Sequence, residues 1–151
     1  MDALIRSARV EDAPRILDLI EGGALPDSPH PVADAGDIEA ALREILESEC
    51  CDVLVATWEG EVIGVAQLIT FRHLQHRGGR CAEIESMHVD EAHRGHGVGS
   101  LLLDALVAAA RDRGCYRVQL TSNKQRGDAH RFYERNGFSA THEGFKRYLT
   151  R

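Results

Sequence analysis

The fold of this chain is decided by one stretch of its sequence, SMHVDEAHRGHGVGSLLLDAL, residues 86–106. A β-rich run ends at Val89, a polar turn follows, and a glycine-rich segment leads directly into an apolar helical run. Glycines at 95, 97 and 99 allow the backbone to turn sharply and to approach a ligand closely. Their N–H groups would converge on the start of the next helix, where the helix macrodipole favours an anion. The stretch therefore predicts a strand–loop–helix pocket for phosphate, most naturally a pyrophosphate, built from backbone.

Three other interpretations of these glycines were tested against the sequence. A Walker A loop needs Gly-Lys-Ser/Thr, but Gly99 is followed directly by Ser100. A Rossmann fingerprint needs the spacing GxGxxG after an early strand, whereas the spacing here is GxGxG, deep in the chain. An ordinary glycine-rich turn before a helix is the alternative that involves no ligand. The two nucleotide-binding folds are disfavoured.

Regular elements are predicted on both sides of this stretch. Before it we expect a strand at 4–8, a helix opened by Asp12 and Pro14 that stops before Gly22, a loop at 22–36, a helix capped by Asp37, and strands at 53–58, 62–71 and 81–89. After it we expect a helix at 101–113 ending at Gly114, a strand at 117–121, a helix at 129–136 closed by a left-handed Gly137, and one or two final strands within 138–150. An antiparallel meander followed by a strand–helix–strand–helix unit indicates an α+β or mixed α/β fold.

The amino-acid composition limits the classes of protein to which the chain can belong. The 151 residues, 43% of them hydrophobic and 28% charged, suit one domain with a single core. Eighteen basic against 24 acidic residues give a net charge of −6, which argues against a general nucleic-acid-binding surface. The N-terminus lacks the apolar region of a signal peptide, and the longest apolar run, 101–110, is interrupted by Asp104 and is too short to span a membrane. Four cysteines without CxxC spacing are typical of reduced thiols, so a cytoplasmic location is predicted.

Two motifs, in the right order, carry a family resemblance. The loop resembles the acyl-CoA pyrophosphate loop of the GNAT N-acetyltransferase superfamily, Gln/Arg-x-x-Gly-x-Gly/Ala, with Arg94, Gly97 and Gly99 at the named positions. The stretch TSNKQRGDAHRFYERNGF (121–138) resembles the family's Asn…Ala-x-x-Phe-Tyr-x-x-x-Gly-Phe signature, matched by Asn123, Ala129, Phe132, Tyr133, Gly137 and Phe138. The resemblance covers 1–151 as a single GNAT domain. It implies an α/β (α+β mixed) fold whose central, mostly antiparallel twisted sheet contains a splayed parallel strand pair, with about four helices on its faces.

The resemblance also implies a cosubstrate, acetyl-CoA, between the strands that end at Val89 and Thr121. Backbone groups of Met87 and Val89 would hold the pantetheine arm, and a backbone N–H near Val89 would stabilise the oxyanion. The full set of residues implied for the coenzyme is Met87, His88, Val89, Arg94, Gly95, His96, Gly97, Val98, Gly99, Ser100, Asn123 and Phe132. For Phe132, core packing of an amphipathic helix is the plainer interpretation.

Acyl transfer to an amine requires two proton transfers, one from the amine and one to the leaving thiolate. A primary alkylammonium has a pKa of about 10.4, so a base near the acceptor is useful at neutral pH. Glu83 and Glu85 are the candidates, because residues two apart share one face of a strand. The family's glutamate position matches Glu83, and Glu85 is the alternative. Tyr133 stands where the family places the general acid that reprotonates the leaving thiolate.

The acceptor is the least defined part of the predicted site. The stretch DAHRFYERNGFSATHEGFKRYL (128–149) resembles the C-terminal part of bacterial aminoalkylphosphonate N-acetyltransferases, which implies a small primary amine, such as an amino acid or aminoalkyl acid. Basic residues that could pair with its anionic group are Arg126, Arg131, Lys146 and Arg147. His73 and His76 lack an obvious third ligand, so no functional metal is predicted.

The predicted activity is direct acetyl transfer to such an amine in a ternary complex. The alternatives are a protein or peptide N-acetyltransferase and a non-catalytic acyl-CoA-binding module. The expected partners are acetyl-CoA, the amine and, since small members of this fold often pair, a second copy of the chain, with neither nucleic acid nor membrane among them.

Overall fold

A computed structural model describes residues 2–25 and 37–149, which form two compact units, Met1–Gln119 and Leu120–Arg151. Most of the loop predicted at 22–36 lies outside the described residues. All four cysteines are free thiols, as predicted. Among the described helices, none combines the length and the apolar character needed to cross a bilayer.

One five-stranded sheet organises the chain, with its strands neighbouring one another in sequence order. The strands are β1 (Leu4–Ser7), β2 (Cys51–Trp58), β3 (Glu61–Arg72), β4 (Arg80–Val89) and β5 (Cys115–Leu120). The first four pair antiparallel, and β5 makes a parallel pair with β4. The helices are α1 (Ala13–Gly22), α2 (Ile38–Glu47), the single turn α3 (Gln75–Gly78), α4 (Val98–Asp112) and, in the second unit, α5 (Gly127–Arg135). The predicted mixed α/β fold class is confirmed.

Helices cover both faces of the sheet. On one face, Ile16 and Leu19 of α1 and Leu42 of α2 pack in one core cluster with Val55 and Val65. On the other face, the core cluster contains Val98 and Leu102 of α4 with Ala56 and Ile63. The nearly continuous apolar runs of β2 and β3 thus supply both cores, as expected for strands buried on two sides.

Local sequence signals explain where the helices begin and end. The Asp37 carboxylate accepts a hydrogen bond from the Glu39 N–H at 3.0 Å, which confirms the predicted N-cap of α2. Gly114 and Gly137, predicted to end the helices α4 and α5, both have positive φ, 72° and 87°.

Two predictions about element bounds are wrong. Helix α4 begins at Val98, not at 101, because burial of Val98 against the sheet outweighs the low helix propensity of the neighbouring Gly99. The final strands do not form in the described residues 138–149. Beyond Phe138, the large apolar side chains stay in solvent, with Phe145 91% exposed, so the rest of this segment has no buried face to fix a strand register.

The close approach of α4 to β3 depends on Gly64. A Cβ atom at this position would lie 3.0 Å from Leu102 Cδ1 and 3.3 Å from the His88 carbonyl oxygen. We expect Gly64→Val to lower the free energy of unfolding by about 1–3 kcal/mol, because overpacking forces the helix away from the sheet. Urea unfolding followed by circular dichroism measures this loss. The control is Glu61→Val, at an exposed position of the same strand, which should change stability by less than about 0.5 kcal/mol.

Candidate active site

Strand β4 contains a β-bulge just before its carboxyl end. Glu85 pairs with Gln67 of β3, and His88 pairs with Val65, so β4 advances three residues while β3 advances two. Ser86 in the bulge has a φ of 50°, in the left-handed region that non-glycine residues seldom adopt. The bulge therefore reverses the alternation of side chains along the last part of β4.

This reversal separates the predicted site residues onto two faces. Glu83 and Glu85 share one face, as predicted, and the register places His88 there too, on the side of α1 and α2. Met87 and Val89 pack instead against the core beneath α4. Without the bulge, uninterrupted alternation would have put the two glutamates, Met87 and Val89 on the same face.

The imidazole of His88 packs tightly against the end of α1. A Cβ atom on Gly23, the residue that caps this helix, would lie 2.3 Å from His88 Nδ1. Only a glycine leaves room for the ring in its present position. The contact joins β4 to the end of α1 directly beside the bulge.

Asp90, the first residue after β4, anchors the loop to α1. Its carboxylate accepts hydrogen bonds from Arg15 Nη2 at 2.5 Å and from the Ala92 N–H at 3.0 Å, and it contacts His93 Nδ1 at 3.1 Å. Arg15 also donates from Nε to the Val62 carbonyl at 3.0 Å, so one guanidinium joins α1, β3 and the loop. The hydrogen bond from Arg15, followed by that of His93, holds the pKa of the Asp90 carboxyl below its usual range.

This lowered pKa predicts a specific acid sensitivity. Ionised Asp90 contributes stability that is fully present above its unfolded-state pKa of about 3.9 and is lost as the pH falls through the lower folded-state value. We expect Asp90→Asn to cost about 1–2 kcal/mol at pH 7, since Arg15 is partly exposed and water screens the pair. The difference from wild type should shrink in urea unfolding series run progressively below pH 4. Glu143→Gln, which removes the exposed pair with Lys124, is the control and should show no comparable loss.

The glycine loop has the backbone geometry predicted for an anion site. Gly95 and Gly97 have φ values of 79° and 84°, and Gly97 is the N-cap of α4. In the part of the chain that the structure describes, no side chain caps this helix start. The N–H groups of Val98, Gly99 and Ser100 lie in the first turn, where they have no partner within the helix. A helix that begins this way can accept a phosphate oxygen.

Two polar side chains of the loop are held by backbone oxygens. Arg94 Nε donates to the carbonyl of Val89 at 3.1 Å, which ties the loop back to the end of β4. His96 Nδ1 lies 3.0 Å from the Arg94 carbonyl. Both residues are exposed, so the loop presents its side chains to solvent around the helix start.

A cavity of about 430 Å³ lies between α1 and this loop. The side of α1 contributes Arg15, Asp18, Leu19 and Gly22, and the loop side contributes Val89, Asp90, Glu91, Ala92 and Arg94. Its volume is within the range of small-molecule sites. The cavity therefore extends from Val89, at the end of β4, to Arg94, at the start of the glycine segment.

The remaining predicted residues belong to the second unit. The Asn123 side-chain oxygen accepts from the Gln125 N–H at 2.9 Å, and its carbonyl accepts from the Arg126 N–H at 3.0 Å, so Asn123 shapes the turn into α5. On α5, the Tyr133 ring contacts Phe132 and Phe138, with ring centroids 5.2 and 6.0 Å apart. Phe132 is half-buried, in line with the plainer interpretation as a packing residue.

His73 and His76 belong to an aromatic cluster with Tyr116. Tyr116 Oη lies 2.8 Å from His73 Nε2, and the two rings stack with centroids 5.6 Å apart. The His76 ring centroid is 4.8 Å from that of Tyr116. Within 2–25 and 37–149, no group of three metal-ligating side chains occurs.

Three features that position the site escaped the sequence analysis. The bulge at Ser86 carries no glycine or proline that could have marked it. Arg15 reaches Asp90 across 75 positions of the chain, and Gln119 of β5 donates to Glu83 Oε2 at 2.7 Å across 36. No local signal exists for the last two, since each contact joins residues far apart in the sequence.

In this chain a bulged strand, a glycine loop and a helix without a side-chain cap follow one another. This arrangement is typical of a class of α/β proteins suited to an anionic coenzyme. The sequence model of the acetyltransferase (GNAT) family matches residues 14–138. The chain belongs to the GNAT acetyltransferase family, which confirms the predicted resemblance.

Two relatives of this chain are named as N-acetyltransferases. The chain is 37% identical over 95 residues, 63% of its length, to an aminoalkylphosphonate N-acetyltransferase of Salmonella typhimurium, and this match covers 61% of that protein. It is 36% identical over 81 residues, 54% of its length, to a glucosamine 6-phosphate N-acetyltransferase of Trypanosoma brucei brucei, with 53% of that protein covered. The chain thus spans between half and two thirds of the length of these two curated relatives.

A solved structure matches over the whole chain. It is described as a transcriptional regulator from Bacillus halodurans C-125, with a TM-score of 0.85 and 32% identity over 98% of this chain and 100% of that one.

Proposed function

We propose that this protein transfers the acetyl group of acetyl-CoA directly to a primary amine of a small molecule, in a ternary complex. The observation that carries the proposal is the course of the backbone from the β4 bulge through left-handed Gly95 and Gly97 into the uncapped start of α4. Membership of the GNAT family and the N-acetyltransferase names of two relatives support it.

In this proposal the loop holds the coenzyme. Backbone N–H groups from Gly95 to Ser100 bind the diphosphate, and the exposed guanidinium of Arg94 lies beside them. Backbone groups of Met87 and Val89 hold the pantetheine arm, with His88 between them. Asn123 and Phe132 complete the coenzyme site on the basis of the family motif.

The chemistry is a nucleophilic substitution at the thioester carbon. The neutral amine forms the new C–N bond, the C–S bond breaks, and a backbone N–H near Val89 stabilises the oxyanion in between. Glu83 or Glu85 receives the proton of the ammonium, because at pH 7 only about one alkylamine in a thousand is neutral. Tyr133 protonates the departing thiolate, and the second proton that the attacking nitrogen loses as the amide forms restores the Tyr133 phenol. Because the amine attacks the thioester directly, no covalent acyl-enzyme is needed.

The acceptor class we propose is a small amine that carries an acid group, such as an amino acid or aminoalkyl acid. The acceptors named for the two curated relatives, an aminoalkylphosphonate and glucosamine 6-phosphate, share an amine with a phosphorus acid. A cavity of about 430 Å³ beside the loop suits a molecule of this size. Of the basic residues considered from sequence for the acid group, Arg131, Lys146 and Arg147 are all exposed, and Arg131 also pairs with Asp128.

We further propose that residues 1–151 act as one catalytic domain, because the family model extends across both compact units. A cytoplasmic location and a homodimer are part of the same proposal. Sedimentation velocity at several protein concentrations measures the oligomeric state, and a single monomeric species throughout would contradict the dimer.

The test is a screen of thiol release from acetyl-CoA with a panel of amines. The panel contains aminoalkylphosphonates, amino acids, hexosamine 6-phosphates, aminoglycosides and short peptides, with an amine-free reaction as the control. Turnover with a small amine bearing an acid group supports the proposal. Turnover with peptides alone identifies a peptide N-acetyltransferase, and tight CoA binding without transfer to any amine identifies a binding module; either result overturns the proposal.

A further inference from the structure

The side chain of Gln119 joins two residues of the neighbouring strand. Its Nε2 donates to Glu83 Oε2 at 2.7 Å, and its Oε1 accepts from Cys81 Sγ at 3.6 Å. Cys81 is fully buried, whereas Gln119 and Glu83 are half-buried. Because a carboxylate can only accept and a thiol can donate, these two partners fix which end of the Gln119 amide faces Glu83.

We propose that Gln119 is a positioning residue that selects Glu83, and not Glu85, as the base that receives the proton of the amine. This inference rests on the proposed function. Glu83 has a directed donor that holds one carboxylate oxygen and leaves the other for a proton. Glu85 is exposed, and in the described part of the chain its carboxylate has no hydrogen-bond or ion-pair partner. A base must be held in the right geometry to act, and only Glu83 is held.

The charges around Glu83 come from β5 and from its own strand, β4. On β5, a hydrogen bond with Cys81 is the main cause that raises the pKa of the Arg117 guanidinium, and the charge of Glu83 adds to it, so Arg117 stays cationic. On β4, Glu85 is the nearest anion of the same face. The β3 residues in register are uncharged, namely Ile69 and Gln67. One cation and one directed N–H thus oppose a single neighbouring anion.

Because Gln119 acts only by holding Glu83, its effect on turnover should depend on the Glu83 carboxylate. Loss of the amide should lower kcat when Glu83 is present and have little further effect once Glu83 has lost its carboxylate. A merely structural role would lower kcat to the same extent in both backgrounds.

The experiment measures kcat with the best amine of the panel for wild type, Gln119→Leu, Glu83→Gln and the double variant. We expect Gln119→Leu to lower kcat about tenfold when Glu83 is present and by less than about twofold in the Glu83→Gln background. If Gln119→Leu fails to fold, Gln119→Asn withdraws the amide by one methylene and gives the same test.

An active wild type in which Gln119→Leu lowers kcat equally in both backgrounds, or leaves kcat unchanged, overturns the inference alone. A wild type that acetylates no amine overturns the proposed function and this inference together.

Discussion

The Gly97→Asp variant will bind CoA at least about 100-fold more weakly than the wild-type protein. The carboxylate of the new side chain would stand at the uncapped start of α4, where the proposed diphosphate lies, and like charges in contact cost several kcal/mol. The fold should survive, because a Cβ atom at Gly97 meets nothing within 4 Å and aspartate tolerates the left-handed backbone. An acidic side chain also suits the positive end of the helix dipole. Isothermal titration calorimetry with CoA measures the loss of affinity.

Gly114→Asp provides a matched control at the opposite end of the same helix. Gly114 also has positive φ, 72°, and a Cβ atom there also meets nothing within 4 Å. The two variants therefore have similar backbone strain and the same added charge, but the proposed diphosphate site is at the other end of the helix. We expect CoA affinity to be retained in Gly114→Asp, while its stability falls slightly because the charge opposes the helix dipole. Equal CoA affinity in Gly97→Asp and wild type would place the diphosphate elsewhere.

The Tyr133→Phe variant should lose about 10²- to 10⁴-fold in kcat, with little change in CoA affinity. Its phenol is the proposed general acid, and general acid catalysis typically contributes a factor of this size. Phenylalanine keeps the ring contacts with Phe132 and Phe138, so the second unit should stay folded. Steady-state kinetics with a saturating amine, together with calorimetry of CoA binding, separates the chemical step from binding.

Tyr116→Phe serves as the control for loss of a phenol. It removes the hydroxyl that contacts His73 Nε2 at 2.8 Å, in a cluster for which no catalytic role is proposed. We expect wild-type kcat in this variant. If Tyr133→Phe turns over at the wild-type rate, the leaving thiolate does not depend on Tyr133 for its proton.

Residues close together in the chain made much of the site predictable. The glycine spacing at 95 and 97 predicted a sharp turn before a helix, and both positions have positive φ. Asp37 predicted a cap and accepts the expected backbone hydrogen bond. The prediction of one or two final strands failed, because no strand forms in the described residues 138–149. The roles of Glu83, Glu85 and Tyr133 in catalysis stay predictions until the variants are measured.

The sequence by itself determined the order of the elements, the loop that suits a diphosphate and the family, because caps, turns and glycine conformations depend on residues a few positions apart. Only the tertiary structure decided which side chains meet. The bulge at Ser86 puts Glu83 and His88 on one face and Met87 on the other, and the sheet brings Gln119 to Glu83. These contacts join residues far apart in the chain, and a strand's register depends on its neighbours, so a single added residue changes the face of every side chain beyond it.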